Sequence, residues 1–321
     1  MQIVKHSLLF CLISVSMPAA AETVYVSNEQ DNTISVIDGK SLTMTATIAV
    51  GRRPRGIALS HDGGKLYVAV GDDDRIDVVD LKTNRVESAI PSGPDPEFFA
   101  VHPDGRRLFV ANEDNNQASV VDLPKLAIEQ EIEVGVEPEG VGVSPDGQLA
   151  AVTSETTSMV HVIDAQSLEL IDNVLVDTRP RMVLFSPDSK QIWVSSELRG
   201  TVSVFDAGTR EPLAKIGFEV PGVSRELVQA VGLQLTPDGS RAYVALGPSN
   251  RVAEVDARTF KVLRTYLVGQ RVWHIALSPA GKRLYTANGN SNDVSVIDLD
   301  DQSVIKSIGV GRSPWGVVVA P

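Results

Sequence analysis

The 321-residue chain is 43% hydrophobic and 22% charged, proportions that suit a soluble globular protein with a sizeable core. Its acidic balance argues against nucleic acid and anionic membrane surfaces as partners and favours solubility and cationic ones. The length alone would suggest two average domains, but repeat folds exceed that prior, so repeats decide the matter.

At the N-terminus, Lys5 and His6 precede an apolar stretch from Ser7 to Met17 and then Pro18-Ala19-Ala20-Ala21 before Glu22. Small residues at Ala19 and Ala21 match the A-x-A rule, so residues 1–21 are expected to be an export signal cut after Ala21. The apolar run is shorter than the roughly 20 residues a bilayer span needs, and no membrane span is expected. Cys11, the one cysteine, lies inside that run behind the large Phe10, which is wrong for lipid modification. The mature chain would then hold no disulfide, no cysteine-ligated metal and no C-x-x-C-H haem attachment. Losing Lys5 from 29 basic residues against 41 acidic ones leaves a formal charge of −13. A periplasmic monomer is expected, with residues 22–321 forming one domain.

Along that domain, an aspartate ends an alternating apolar stretch at Asp38, Asp80, Asp122, Asp164, Asp206, Asp256 and Asp298, in steps of 42, 42, 42, 42, 50 and 42. In phase with it run Ser60, His102, Ser144, Ser186, Thr236 and Ser278, each opening a turn such as Ser144-Pro145-Asp146-Gly147. A third series is Tyr25, Tyr67, Phe109, Ala151, Trp193, Tyr243 and Tyr285. Residues 135–176 display the unit: strand a over 140–144, strand b over 149–153, strand c over 159–163 and strand d over 170–176, with Pro, Gly, Asp and Asn at the joints. Four short strands in a period near 42 predict an all-β, seven-bladed β-propeller of four-stranded antiparallel blades. The chain enters at a strand b (24–28) and leaves on a strand a (316–320), and joining the two completes a seventh blade without loose edges. The aspartates, often followed by Ser or Thr three residues on, are expected to cap the c–d turns.

The segments Tyr25-Val26-Ser27-Asn28, Phe109-Val110-Ala111-Asn112 and Tyr285-Thr286-Ala287-Asn288 resemble the Tyr-Val-Thr-Asn motif of the YVTN β-propellers. Seven repeats behind an export signal are similar to the bacterial group of PQQ-dependent catabolism-associated β-propeller proteins. That resemblance implies a setting in alcohol oxidation or an associated transport system rather than an activity.

The residue just before strand a, at the mouth of the central channel, does not repeat: it reads Arg55, Glu97, Glu139, Arg181, Val231, Trp273 and Trp315. With His274 beside them, charges and aromatic rings on one rim suit a small anionic or planar ligand. Equally, Arg55–Glu97 and Glu139–Arg181 could pair with each other while the tryptophans plug the channel. The single eight-residue insertion, within 219–226, falls in a d–a loop of this face and offers Arg225 as a contact. The acidic b–c loops, such as Asp72-Asp73-Asp74, carry no D-x-D-x-D-G calcium spacing, and no metal site is expected. G-x-S-x-G, H-E-x-x-H and phosphate-binding glycine loops are missing. The expectation is therefore a non-catalytic periplasmic binding protein, accessory to PQQ-dependent alcohol oxidation, with a periplasmic protein or small anion as partner. No cofactor is required of it, with PQQ left open as a ligand. The alternative is a lactonase-like hydrolase or isomerase at the same mouth, using His274 beside Glu97 and Glu139.

Overall fold

A computed structural model describes residues 22–321; the expected export signal lies outside them. The described residues form seven four-stranded antiparallel sheets, β1 to β28 in chain order, with no helix beyond three short 3-10 turns. Blade 1 joins β28 (Pro314–Ala320) to β1 (Thr23–Asn28), β2 (Thr33–Asp38) and β3 (Thr43–Ala49). Its closure is antiparallel, with Thr23 opposite Ala320 and Tyr25 opposite Val318. Blades 2 to 7 follow in order, each opening on its innermost strand: β4 (Pro54–Leu59), β8 (Pro96–Val101), β12 (Pro138–Val143), β16 (Pro180–Phe185), β20 (Leu233–Leu235) and β24 (Val272–Leu277). No helix among the described residues is long and apolar enough to cross a membrane.

The repeat spacing maps onto this frame residue by residue. In blade 4, β13 (Leu149–Ser154) and β14 (Met159–Asp164) are buried along most of their length, whereas the outermost β15 (Leu170–Leu175) is largely exposed. The core lies between blades rather than within them. Tyr25, Ile34 and Ile48 of blade 1, for example, pack with Ile57, Leu66 and Val68 of blade 2. The recurring aspartates do cap the c–d turns: the backbone N–H groups of Ser41, Thr83, Ser167, Thr209 and Thr259 donate to Asp38, Asp80, Asp164, Asp206 and Asp256 at 2.6–2.9 Å. Ser144 accepts the Leu149 N–H at 2.9 Å and donates to Asp146 at 2.6 Å, which fixes the a–b turn.

One pattern in the innermost strands was not read from the sequence. The residue after the mouth position alternates small and large along the chain, Gly56, Phe98, Gly140, Met182, Gly232, His274 and Gly316, with the two glycines Gly316 and Gly56 adjacent where the ring closes. Seven strands converging on one axis leave no room for seven side chains at this level. A Cβ on Gly56 would lie 2.7 Å from the Glu97 carbonyl oxygen, and one on Gly316 2.6 Å from that of Arg55. The large partners fill the space released: Phe98 stacks on His274 from across the ring, with centroids 5.4 Å apart, and closes the channel beneath the mouth. Gly56→Ala is expected to lower stability by about 1–3 kcal/mol through overpacking, read as a drop in thermal midpoint. Gly217→Ala, whose Cβ would meet nothing within 4 Å, should stay within roughly 0.5 kcal/mol of the parent.

Candidate functional site

The four charged mouth residues lie one position inside strands β4, β8, β12 and β16, not just before them, because each strand begins at the preceding proline. They pair within the ring. Arg55 bonds Glu97 of the next blade and reaches Glu29 at 3.2 Å. Arg181 contacts Glu139 at 2.6 Å, Glu155 at 2.6 Å and Glu197 at 2.7 Å. Glu97 is fully buried and Arg181 and Glu139 nearly so, whereas Arg55 keeps part of its side chain open to the mouth.

A second tier stands two residues upstream, at Arg53, Asp95, Glu137, Arg179, Arg271 and Ser313, all with left-handed backbone (φ 47–59°). That conformation costs a non-glycine residue on the order of 1 kcal/mol. A repeated bond holds it: Asn32, Asn250 and Asn292 in the b–c loops accept the N–H of Arg53, Arg271 and Ser313 at 2.9–3.0 Å. The turn aims Arg53 at Asp72, Asp95 and Glu97, Arg179 at Glu155 and Glu197, and Arg271 at Glu197. This tier went unnoticed in the sequence, although it too fails to repeat at the 42-residue spacing.

Burial in this crowd shifts the carboxyls apart. Desolvation drives Glu97 up to about 7 against the pull of Arg55 and Arg53, with Glu113 alongside adding to the rise. Glu155 reaches about 7 through burial and the nearby Glu139, and Glu139 is itself raised by burial. Glu197 moves the other way, because Arg181 and Arg271 outweigh its burial. Burial is the first cause acting on Arg55 and Arg181 too, but the surrounding carboxylates overcome it and raise both.

The aromatic residues divide in role. Trp315 is buried in the floor, with its ring 4.1 Å from His274 and 6.0 Å from Phe98. Trp273 stays partly open at the mouth, capped by the Arg271 guanidinium 3.9 Å from its ring centroid, with that of Arg181 at 5.5 Å. His274 is fully buried, and burial with Arg181 and Arg55 nearby pushes its pKa down to about 3. Its imidazole is neutral at physiological pH and far too weak a base for the role foreseen for it. Arg225 is exposed in a 3-10 turn, Arg225–Leu227, and makes none of the ion pairs found among the described residues. Just beyond the insertion, Gln229 of the same loop accepts from Arg271 at 2.6 Å instead. The remaining histidines stay apart: His102 bonds the Gly147 carbonyl at 3.0 Å on the opposite face, and His161 accepts the Gly135 N–H at 2.8 Å.

Asp95, Glu97 and Glu113 bring one oxygen each within 4.8 Å of one another, a spacing that could hold a cation. The Arg53 guanidinium lies against Asp95 and Glu97 and supplies positive charge there itself. The acidic loops are likewise laced by arginine rather than simply solvated, as Arg52–Asp73 and Arg312–Asp31 illustrate.

Removing Arg181 would strand three buried carboxyls. Arg181→Met is expected to cost at least about 3 kcal/mol at pH 8. The cost should shrink toward pH 5. Carboxyls with folded pKa values raised above their unfolded ones contribute stability that is complete below the unfolded pKa and lost as pH rises through the folded one, here near 7. Denaturant midpoints of both proteins across pH 5–8 measure this; equal losses at both ends would refute the electrostatic origin.

Three family models match parts of the chain: "Lactonase, 7-bladed beta-propeller" over residues 173–306, "YNCE-like beta-propeller" over 3–105 and "Cytochrome D1 heme domain" over 96–183. No curated protein sequence matches. Among solved structures, the chain is similar to a periplasmic gluconolactonase from Pseudomonas aeruginosa (20% identity, TM-score 0.78, covering 94% of this chain and 99% of that one). It is similar to a putative 6-phosphogluconolactonase from Bacteroides fragilis (18%, TM-score 0.79, 95% and 100%). A third is the hydrazine synthase of Kuenenia stuttgartiensis (23%, TM-score 0.78, 86% and 92%). At these identities the structures establish the seven-bladed fold. The lactonase match and the relatives named as lactonases correct the expectation of a non-catalytic accessory to quinone-dependent alcohol oxidation, and favour the lactonase-like alternative. A site assembled from one residue per blade has no need to contain the linear motifs that this chain lacks.

Proposed function

We propose that the protein is a lactone hydrolase working at the channel mouth. The observation that carries this reading is the pairing of Arg55, a guanidinium open to the mouth, with Glu97, a carboxyl whose pKa of about 7 suits a general base at neutral pH. The partial lactonase match and the two relatives named as lactonases support it.

In this mechanism Arg55 binds the lactone carbonyl oxygen and stabilises the negative charge that develops there. Water is held on Glu113, half-buried beside Glu97, and its proton passes to the Glu97–Glu113 carboxyl pair. The water oxygen bonds to the carbonyl carbon, the ring ester C–O bond breaks, and the departing ring oxygen takes the proton back as a hydroxyl. The product is the open hydroxy acid, which releases a proton to solvent. Trp273 offers the substrate ring an apolar face, and the closed floor of Phe98, His274 and Trp315 stops passage down the channel. Glu139 and Arg181 serve as the buried brace behind the pair. The proposal includes export through residues 1–21 to the periplasm, in keeping with the name of the Pseudomonas relative.

Hydrolysis of D-glucono-1,5-lactone, followed by base uptake at constant pH, should exceed the buffer rate and show a kcat/KM limb rising near pH 7. Arg55→Met and Glu97→Gln should each lower kcat/KM by about 10²–10³, while His274→Gln should cost far less. A rate indistinguishable from buffer with every aldonolactone tried, phosphorylated ones included, would sink the reading.

A further inference from the structure

The arginines suggest a site for anions, but the five at the centre of the mouth are each held by carboxyls. Arg53 and Arg55 are held by Glu29, Asp72, Asp95 and Glu97. Arg179, Arg181 and Arg271 are held by Glu139, Glu155 and Glu197. Seven carboxyls thus engage five guanidiniums, and Glu113 adds another beside Glu97. Eight carboxyls therefore stand around five guanidiniums, so the geometry leaves no surplus of cationic groups at the centre. Lysine is also missing from this face among the described residues. Lys40, Lys82 and Lys125 lie in c–d turns, Lys65, Lys190 and Lys282 at a–b turns, and Lys215, Lys261 and Lys306 in outer strands. A phosphate or carboxylate on the substrate would meet five central guanidiniums already engaged by carboxyls, with Arg199 and Arg225 exposed only in the outer loops, whereas ring hydroxyls would find carboxylate acceptors and the Trp273 face.

Building on the hydrolase reading, we infer that the mouth selects uncharged aldonolactones and rejects those bearing a phosphate or a second carboxylate. The specificity residues are Glu29 and Asp95, which pair with one Nη of Arg55 and of Arg53 respectively.

The test uses binding as well as turnover, so that the two readings can fail separately. D-Gluconolactam, an uncharged analogue, and its 6-phosphate are titrated calorimetrically into the full-length mature protein at low ionic strength. The lactam is expected to bind at least 30-fold more tightly than its phosphate, and glucono-1,5-lactone to exceed its 6-phosphate by a similar factor in kcat/KM. The gap should narrow as salt screens the mouth. In Glu29→Gln/Asp95→Asn, which removes both carboxylates from the guanidiniums, the ratio of phosphate affinity to lactam affinity should rise at least tenfold. Lactam binding without turnover would overturn the hydrolase and leave the selectivity standing. Equal or tighter binding of the phosphate by the parent protein, or of neither compound, would overturn the selectivity. So would a double variant that folds with an unchanged thermal midpoint yet gains no phosphate affinity relative to the lactam.

Discussion

Seven innermost strands must converge on one axis, and the space available there governs nearly everything at the mouth. At that radius a side chain on every strand would collide with the neighbouring backbone, so glycine alternates with a bulky residue and the channel closes on Phe98, Met182 and His274. Closing the floor excludes water from below. Whatever stands immediately above it is desolvated on three sides, and in this protein that layer consists of arginine and glutamate. Their burial is a consequence of ring closure before it is a property of the site.

Burying charge is costly unless it is paired and further hydrogen-bonded. The two halves of the ring meet that demand differently. Around Arg181, three carboxyls and three guanidiniums interlock, and Glu197 is pulled below the usual carboxylate range. Around Arg55, burial drives Glu97 up to about 7 against the pull of Arg55 and Arg53, with Glu113 adding to the rise. Each half keeps a carboxyl raised to about 7, but Glu155 is locked in the buried brace around Arg181, whereas Glu97 pairs with an arginine that is open to the mouth. A site that is stable and also able to accept a proton draws on both.

Much of the architecture could be read directly from the chain. Turn aspartates such as Asp80, turn serines such as Ser144 and the apolar positions between them act locally, so their meaning survives without coordinates. Blade closure was legible because complementary fragments at the two ends of the repeat array admit one pairing. The charged ring was also visible, because a position free of scaffold duty stops repeating. What escaped was whatever depends on contacts across the ring. The alternation at Gly56, Phe98 and Gly140 looks like noise within any one blade and acquires meaning only when seven strands share an axis. His274 reads as a candidate base until its partners, Phe98 and Trp315, are seen to come from other blades. Arg225 drew notice because it lies in an insertion, yet the loop delivers Gln229 to the network.

The upstream tier explains how such a fold acquires a specific mouth without disturbing its core. Arg53, Arg179 and Arg271 occupy left-handed positions that favour glycine or asparagine, and Asn32 and Asn250 compensate locally by bonding the strained N–H of Arg53 and Arg271. Because this compensation comes from the neighbouring b–c loop, the side chain at the strained position stays free to vary. One blade can carry arginine there, another aspartate, another serine, with the same backbone and the same hydrogen bond. Chemical variety thus concentrates in a thin layer above the closed floor, while strands b, c and d remain nearly interchangeable. The separation lets one repeat, copied seven times, present a single asymmetric site.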